Sequence, residues 1–313
     1  MNLKAIGIGI MTLVLGFSAK AQDVHFSQYY YAPMNLNPAM TGVFSGKYRM
    51  GLNYRDQWGN INDAYNFSSF FADAKFKSLG LGISGLNESS GGGTYYRNNI
   101  NGNISIDFAP KDAANHFILG VQAGMFQHGV DGSKIETQSG TPIPSESSAD
   151  LSIGIGALWF NGRGENAMMP FIGASVYNVN GTQESFEDPE DVMSIRSVVH
   201  GGIRIHAGQG FDITPHGQLM VQAGARNVTG GVNLSYALNN LGNYLMAGAS
   251  YRVNDAFIPF AGLRLGNLTA GVSYDFVTGS LSDNVSDAST LELSIQYIIP
   301  NKKYETRYIC PRL

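Results

Sequence analysis

Apolar and polar residues alternate with period two along most of this chain. Leu79, Leu81 and Ile83 alternate with Gly80, Gly82 and Ser84. Ile104, Ile106 and Phe108 alternate with Asn103, Ser105 and Asp107. Leu151, Ile153, Ile155, Ala157 and Trp159 face away from Ser152, Gly154 and Gly156. Leu291, Leu293, Ile295, Tyr297 and Ile299 face away from Glu292, Ser294 and Gln296. Side chains of a strand point to opposite faces in turn, so each stretch predicts a strand with one apolar and one polar face.

The same reading predicts about fourteen strands. They start near Lys47, Tyr65, Leu79, Tyr96, Asn115, Ala149, Met168, Ser194, His216, Gly231, Tyr244, Phe257, Leu268 and Ser289. An even number, with segments near the roughly 9–11 residues of a tilted transmembrane strand, predicts an all-β fold: a transmembrane antiparallel β-barrel. Tight turns are expected at Lys77-Ser78, Asn239-Asn240 and Gly266-Asn267, on the periplasmic side with both termini. Long outer connections are expected at 130–148, 179–193 and 278–288, rich in Ser, Gly, Pro and acids. The 207–215 connection is long for a periplasmic turn. Aromatic residues near predicted strand ends suit membrane–water interfaces: Tyr29 to Tyr31, Tyr95-Tyr96, Trp159-Phe160, Tyr177, Phe211, Tyr236, Tyr244, Tyr251, Tyr274 and Phe276.

Composition agrees with that picture. Charged residues make up 14% of the 313, below the roughly 25% of a soluble domain. Mean hydropathy is only -0.08, as expected where lipid-facing and lumen residues alternate. A net charge of -4 argues against nucleic acid as a partner. The single cysteine, Cys310, excludes an intramolecular disulfide. Lys4, the apolar run Ala5 to Phe17 and Ala19-Lys20-Ala21 read as an export signal with a cleavage site, so the mature chain is expected to start at Gln22. Four parts follow: a signal peptide over 1–21, a non-strand N-terminal segment over 22–46 (periplasmic or lumenal), an outer-membrane barrel over 47–300, and a periplasmic tail over 301–313.

Gln28-Tyr29, Pro33, Asn37-Pro38-Ala39-Met40-Thr41-Gly42 and then Arg55-Asp56-Gln57-Trp58 carry a resemblance. They resemble the PorP/SprF family of outer-membrane proteins of the type IX secretion and gliding machinery. The resemblance covers the mature chain in its organisation, and the Asn-Pro-Ala-x-x-Gly block is not a generic barrel feature. It implies a barrel that partners secreted surface proteins, including gliding adhesins, or periplasmic-ring and peptidoglycan-linked proteins. On it, Gln28, Tyr29, Pro33, Asn37, Pro38, Ala39, Gly42, Arg55, Gln57 and Trp58 become candidate family-motif and partner-contact residues.

The residues themselves point to no enzyme, cofactor or metal. There is no Gly-x-Ser-x-Gly elbow, and no Ser, His and acid assemble as a triad. His200, Arg204 and His206 share one strand face without further metal ligands. The acidic run Glu184, Glu187, Asp188, Glu190 and Asp191 lacks calcium-loop spacing. Charge on a lipid face costs about 2–4 kcal/mol at midplane, so strand charges should face the lumen or the rims. His200, Arg204, His206, Arg226, Arg264, Asp107, Asp275 and Glu292 are therefore lumen candidates. The leading expectation is a barrel, surrounded by outer-membrane lipid, that binds or anchors a secreted surface protein at the cell surface and contacts periplasmic machinery; the alternative is a passive porin or small-molecule transporter.

Overall fold

The computed structural model describes residues 25–59, 65–110, 113–135, 141, 143–162, 168–184, 186, 191–239, 242–278 and 289–300. The expected signal peptide over 1–21, the tail over 301–313 with Cys310, and Glu187, Asp188 and Glu190 lie outside them.

Fourteen antiparallel strands close into one barrel, each beside its sequence neighbours, with β14 against β1. They are β1 (Tyr48–Gln57), β2 (Tyr65–Phe76), β3 (Leu79–Ser90), β4 (Tyr95–Asp107), β5 (Asn115–Val130), β6 (Glu146–Asn161) and β7 (Met168–Tyr177). The circuit continues through β8 (Arg196–His206), β9 (Phe211–Gln222), β10 (Ala225–Ala237), β11 (Tyr244–Arg252), β12 (Ala256–Leu265), β13 (Leu268–Val277) and β14 (Ser289–Ile299). Closure removes the exposed sheet edges that would otherwise template association.

Most predicted starts agree with these strands. Two do not: β9 begins at Phe211 rather than near His216, and β10 at Ala225 rather than near Gly231. Pro215 hid the first half of β9. The β8–β9 pairing runs from Gly202 with His216 to Ile205 with Ile213, passing over Pro215, which cannot donate to the ladder. The 207–215 connection is therefore a short turn over 207–210. In the turn joining β9 to β10, Ala223 (φ 51) and Gly224 (φ 81) both take the left-handed conformation that a two-residue hairpin favours.

Call the end where β1 starts and β14 finishes the near end, since Tyr48 pairs with Ile299 there. The short turns at 77–78, 207–210 and 266–267 sit at the near end, and the 131–145 and 178–195 connections sit at the far end. Alternation places most Leu, Ile and Val outside and Ser, Asn, Gln, Gly and most charged residues inside, with Phe67, Phe71, Phe126, Phe171 and Phe260 also buried. Tyr236, Tyr251, Tyr274 and Phe276 face outward. Tyr29 to Tyr31, Phe160 and Tyr177 do not form part of an aromatic belt: all are buried inside the barrel. In β6 and β7 the inward parity carries Phe160 and Tyr177 to the lumen.

The N-terminal segment fills the lumen. It folds as a 3-10 turn (Tyr29–Tyr31), one α-helical turn (Pro33–Leu36) and a second 3-10 turn (Pro38–Met40). Pro33 and Pro38 each occupy the first turn of a helical piece, where a missing N–H costs nothing. Asn37 accepts the Ala39 N–H at 2.9 Å and caps the second 3-10 turn. Both ends of the chain are expected on one side; among the described residues His25 stands at the far end and Ile299 at the near end. His25 and Phe26 pack near Arg196, Tyr65 and Leu86 at the far end, and the segment descends to β1 at the near end.

Candidate functional site

Three sets of contacts hold the segment. At the far end, Glu292 accepts the backbone N–H groups of Ser27 at 2.7 Å and Gln28 at 2.8 Å. Arg55 donates to Glu292 at 3.2 Å and to Asp275 at 3.1 Å, and Arg252 donates to Asp275 at 2.5 Å. The Ser27 hydroxyl donates to Asp275 at 2.8 Å and accepts from Arg55 at 2.6 Å and Arg252 at 3.2 Å. Gln28 donates through Nε2 to Ser273 and to the Glu292 carbonyl, and accepts from Ser294 at 2.7 Å. Arg55, Asp275 and Glu292 are each no more than 1% exposed. Such buried charges are tolerated only when paired and hydrogen-bonded in this way.

In the middle, Asn37 donates to the carbonyls of Ala157 at 2.9 Å and Ala174 at 3.3 Å, and lies 3.1 Å from His200 Nε2. Ser175 donates to the Leu36 carbonyl and Tyr177 to the Met34 carbonyl. Tyr29 Oη lies 2.5 Å from His216 Nδ1. Inward glycines make the room. A Cβ at Gly120 would strike Pro38 and Ala39, and one at Gly156 would strike the Asn37 side chain.

At the near end, Arg49 forks onto Asp73 at 2.8 and 3.0 Å and donates to the Met40 carbonyl at 3.0 Å. Asp73 also accepts the Gly42 N–H at 2.7 Å. Gly42 needs its lack of a side chain twice: φ is +75, and a Cβ would stand 2.7 Å from Gly80 Cα.

The two motif blocks thus serve different levels. Gln28 and Arg55 lie in the far clamp, Tyr29, Pro33, Asn37, Pro38 and Ala39 in the middle, and Gly42 near the bottom. All eight are buried. Gln57 accepts from Arg55 Nε at 3.2 Å, and Trp58 packs edge-on against Tyr65 at the far rim. Of the lumen candidates, Asp275 and Glu292 meet Arg55, while Asp107 pairs with His116 at 2.6 Å. Arg204 and His206 both bind Asp212 near the near end, away from His200. Arg264 donates to the Gly266 carbonyl at 2.9 Å at the near rim.

Arg226, expected in the lumen, faces outward instead. It stands one residue into β10 with the outward parity of Val228 and Val232 and is exposed. At the far rim its long side chain can reach a polar layer, so it does not need the lumen. Sequence reading overlooked Ser27, Asp73, Asp212, Arg196 and Arg252. The strand parity of Arg252 was the usable signal: it continues the inward series of Gly248 and Ser250. Among the described residues no three His, Cys, Asp or Glu side chains converge as metal ligands.

Above the segment the barrel wall is uneven. One outward row runs Leu52, Phe70, Gly85, Ile100, Met125 and Leu151 and is apolar apart from the glycine. The next row toward the far end runs Tyr54, Ser68, Asn87, Asn98 and Gln127 and is polar. Asn87 donates to Asn98 at 2.7 Å on that exposed surface. The outward face thus changes from apolar to polar between these rows, and β2 to β6 continue past the change. On β9 and β11 to β13 outward Val221, Tyr251, Phe257 and Phe276 run to the strand ends, while β10 ends beyond Val228 on exposed Arg226, with only short turns at 223–224 and 253–255.

Inside the tall side lies a chamber with an empty volume of about 590 Å³, counting space open to solvent. Asn35 of the segment lines it, together with Asn99, Asn101, Gln122, Tyr177 and Asn178 of the wall and its connection. Arg97 bridges Glu184 at 2.9 Å and Glu88 at 3.9 Å, tying the 178–195 connection to the wall.

A closed antiparallel barrel, apolar outside and stoppered by its own N-terminal segment, is a membrane β-barrel. The sequence profile described as "Type IX secretion system membrane protein PorP/SprF" matches residues 18–297, and the chain belongs to that family. Among solved structures it is similar to the Ralstonia pickettii toluene transporter TbuX, with a TM-score of 0.51 and 11% identity, covering 86% of this chain and 93% of that one. It is also similar to the CymD monoaromatic hydrocarbon channel, with a TM-score of 0.51 and 9% identity over 86% and 92% of the two chains. At such identities the likeness shows the fold. No curated protein matches the sequence.

Proposed function

We propose that this protein sits in the outer membrane after removal of a signal peptide and holds a secreted surface protein, such as a gliding adhesin, at its far mouth. In this reading the far end faces the cell exterior and the near end faces the periplasmic secretion machinery or peptidoglycan-linked proteins. The observation that carries the reading is the stopper. Residues 25–46 occupy the lumen from one end to the other, bonded at each level, while the far rim rises into a polar wall with long connections. A barrel closed along its axis and elaborated at one mouth is suited to holding a partner. Affinity purification from detergent-solubilised outer membranes tests this. The expected result is co-recovery of a secreted surface protein with type IX components; repeated recovery of the barrel alone contradicts it.

The second reading, a small-molecule transporter, is favoured by the fold shared with a toluene transporter and a monoaromatic hydrocarbon channel. Substrate uptake by reconstituted vesicles would support it over the first.

A further inference from the structure

Four features of the far chamber bear on what it would take. Its wall is rich in side-chain amides, and the carboxamide oxygens of Asn99 and Asn101 are buried without a protein partner. Asn101 is 5% exposed, and an unpaired buried acceptor of this kind calls for a donor. The charges at the chamber are balanced, Arg97 and Arg196 standing against Glu88 and Glu184, so an anionic ligand gains little. Its aromatic faces are already taken: Arg196 stacks on Tyr177 at 4.1 Å, and Phe126 packs on His128. A sugar ring would find no free platform. Finally, most of the side chains that line it are polar, which disfavours an acyl chain.

Side-chain amides carry both a donor and an acceptor, the pair that an extended peptide backbone requires. The barrel itself uses this pairing beside the chamber. Asn180 donates to the Leu151 carbonyl at 2.6 Å and accepts the Ile153 N–H at 2.9 Å, along the part of β6 that β7 does not reach. Gln28 and Asn37 likewise donate to strand carbonyls.

We propose that the chamber is a polypeptide socket. It receives an extended, uncharged segment of the secreted partner, whose backbone amides pair with Asn99, Asn101 and Gln122. This rests on the partner-holding reading above and adds where and by what chemistry the partner is gripped.

Photo-cross-linking in living cells tests it, with benzoylphenylalanine placed at Asn99 or Asn101 and, as a control, at outward-facing Leu245. Heat-modifiable migration on gels selects folded barrels. Chamber positions should give adducts containing a peptide of a secreted protein, and Leu245 should not. In a parallel purification, the double variant Asn99→Leu, Asn101→Leu should lower partner recovery about tenfold, the effect of losing one or two buried hydrogen bonds. If wild type recovers no secreted protein, the partner-holding reading fails and the socket with it. If wild type recovers one while chamber adducts carry only saccharide or lipid, or no adduct forms and the double variant recovers it equally, the socket alone is wrong.

Discussion

Glu292, on the last strand, accepts the backbone N–H of Gln28 at 2.8 Å, at the end of the barrel opposite the one where the N-terminal segment joins the first strand. This contact fixes the direction of the segment. The chain threads the lumen from far end to near end before the sheet begins, and the wall closes around it.

The far clamp should therefore dominate the stability of the threaded state. Arg55→Ala leaves Asp275 short of one of its two arginines and Glu292 without any, both buried. Breaking such a pair costs about 3–5 kcal/mol. Thermal unfolding in detergent should fall clearly, and protease should cut earlier near Gln28. Arg226→Ala, on the outside, should stay within about 0.5 kcal/mol of wild type.

Threading also makes a topological prediction. With the far end outward, an epitope inserted immediately before His25 should bind antibody on intact cells. The same epitope in the turn at Lys77-Ser78 should bind only after permeabilisation. Reversed labelling would invert the orientation.

The inward glycines should be specific for the stopper. Gly120→Val and Gly156→Leu place atoms where Pro38, Ala39 and Asn37 now sit, while the neighbouring ladder needs no change. Each variant should still insert and remain heat-modifiable, with residues 25–46 exposed to protease. Loss of the folded barrel would mean that these glycines serve the wall instead.

Asn37 joins the segment to β6 and β7. Asn37→Ala removes a cap and two donations to strand carbonyls at a fully buried position. A loss of about 1–3 kcal/mol is expected. Asn37→Asp should be as harmful, because a carboxylate cannot donate to Ala157.

The barrel was legible because alternation is a local property. Leu151 to Trp159 show their faces without reference to any other strand. It failed where one residue broke the local rule: Pro215 concealed the start of β9, and Arg226 on the outward face disguised β10 and was assigned to the lumen. The block from Asn37 to Gly42 read as special but not as a stopper. That role depends on partners more than 100 positions away, such as Ala157 and His200 for Asn37 and Glu292 for Gln28. Gly120 and Gly156 read only as small lumen residues, since nothing local distinguishes a glycine that seats another chain from one that faces water.

The claim on which the account turns is that the segment closes the barrel. Planar-bilayer conductance of the purified protein beside a variant lacking residues 25–42 measures this directly. The intact barrel should be silent at modest voltage, and the deletion should conduct steadily. Steady conductance from the intact protein, equal to that of the deletion, would contradict the stopper and return the molecule to the porins.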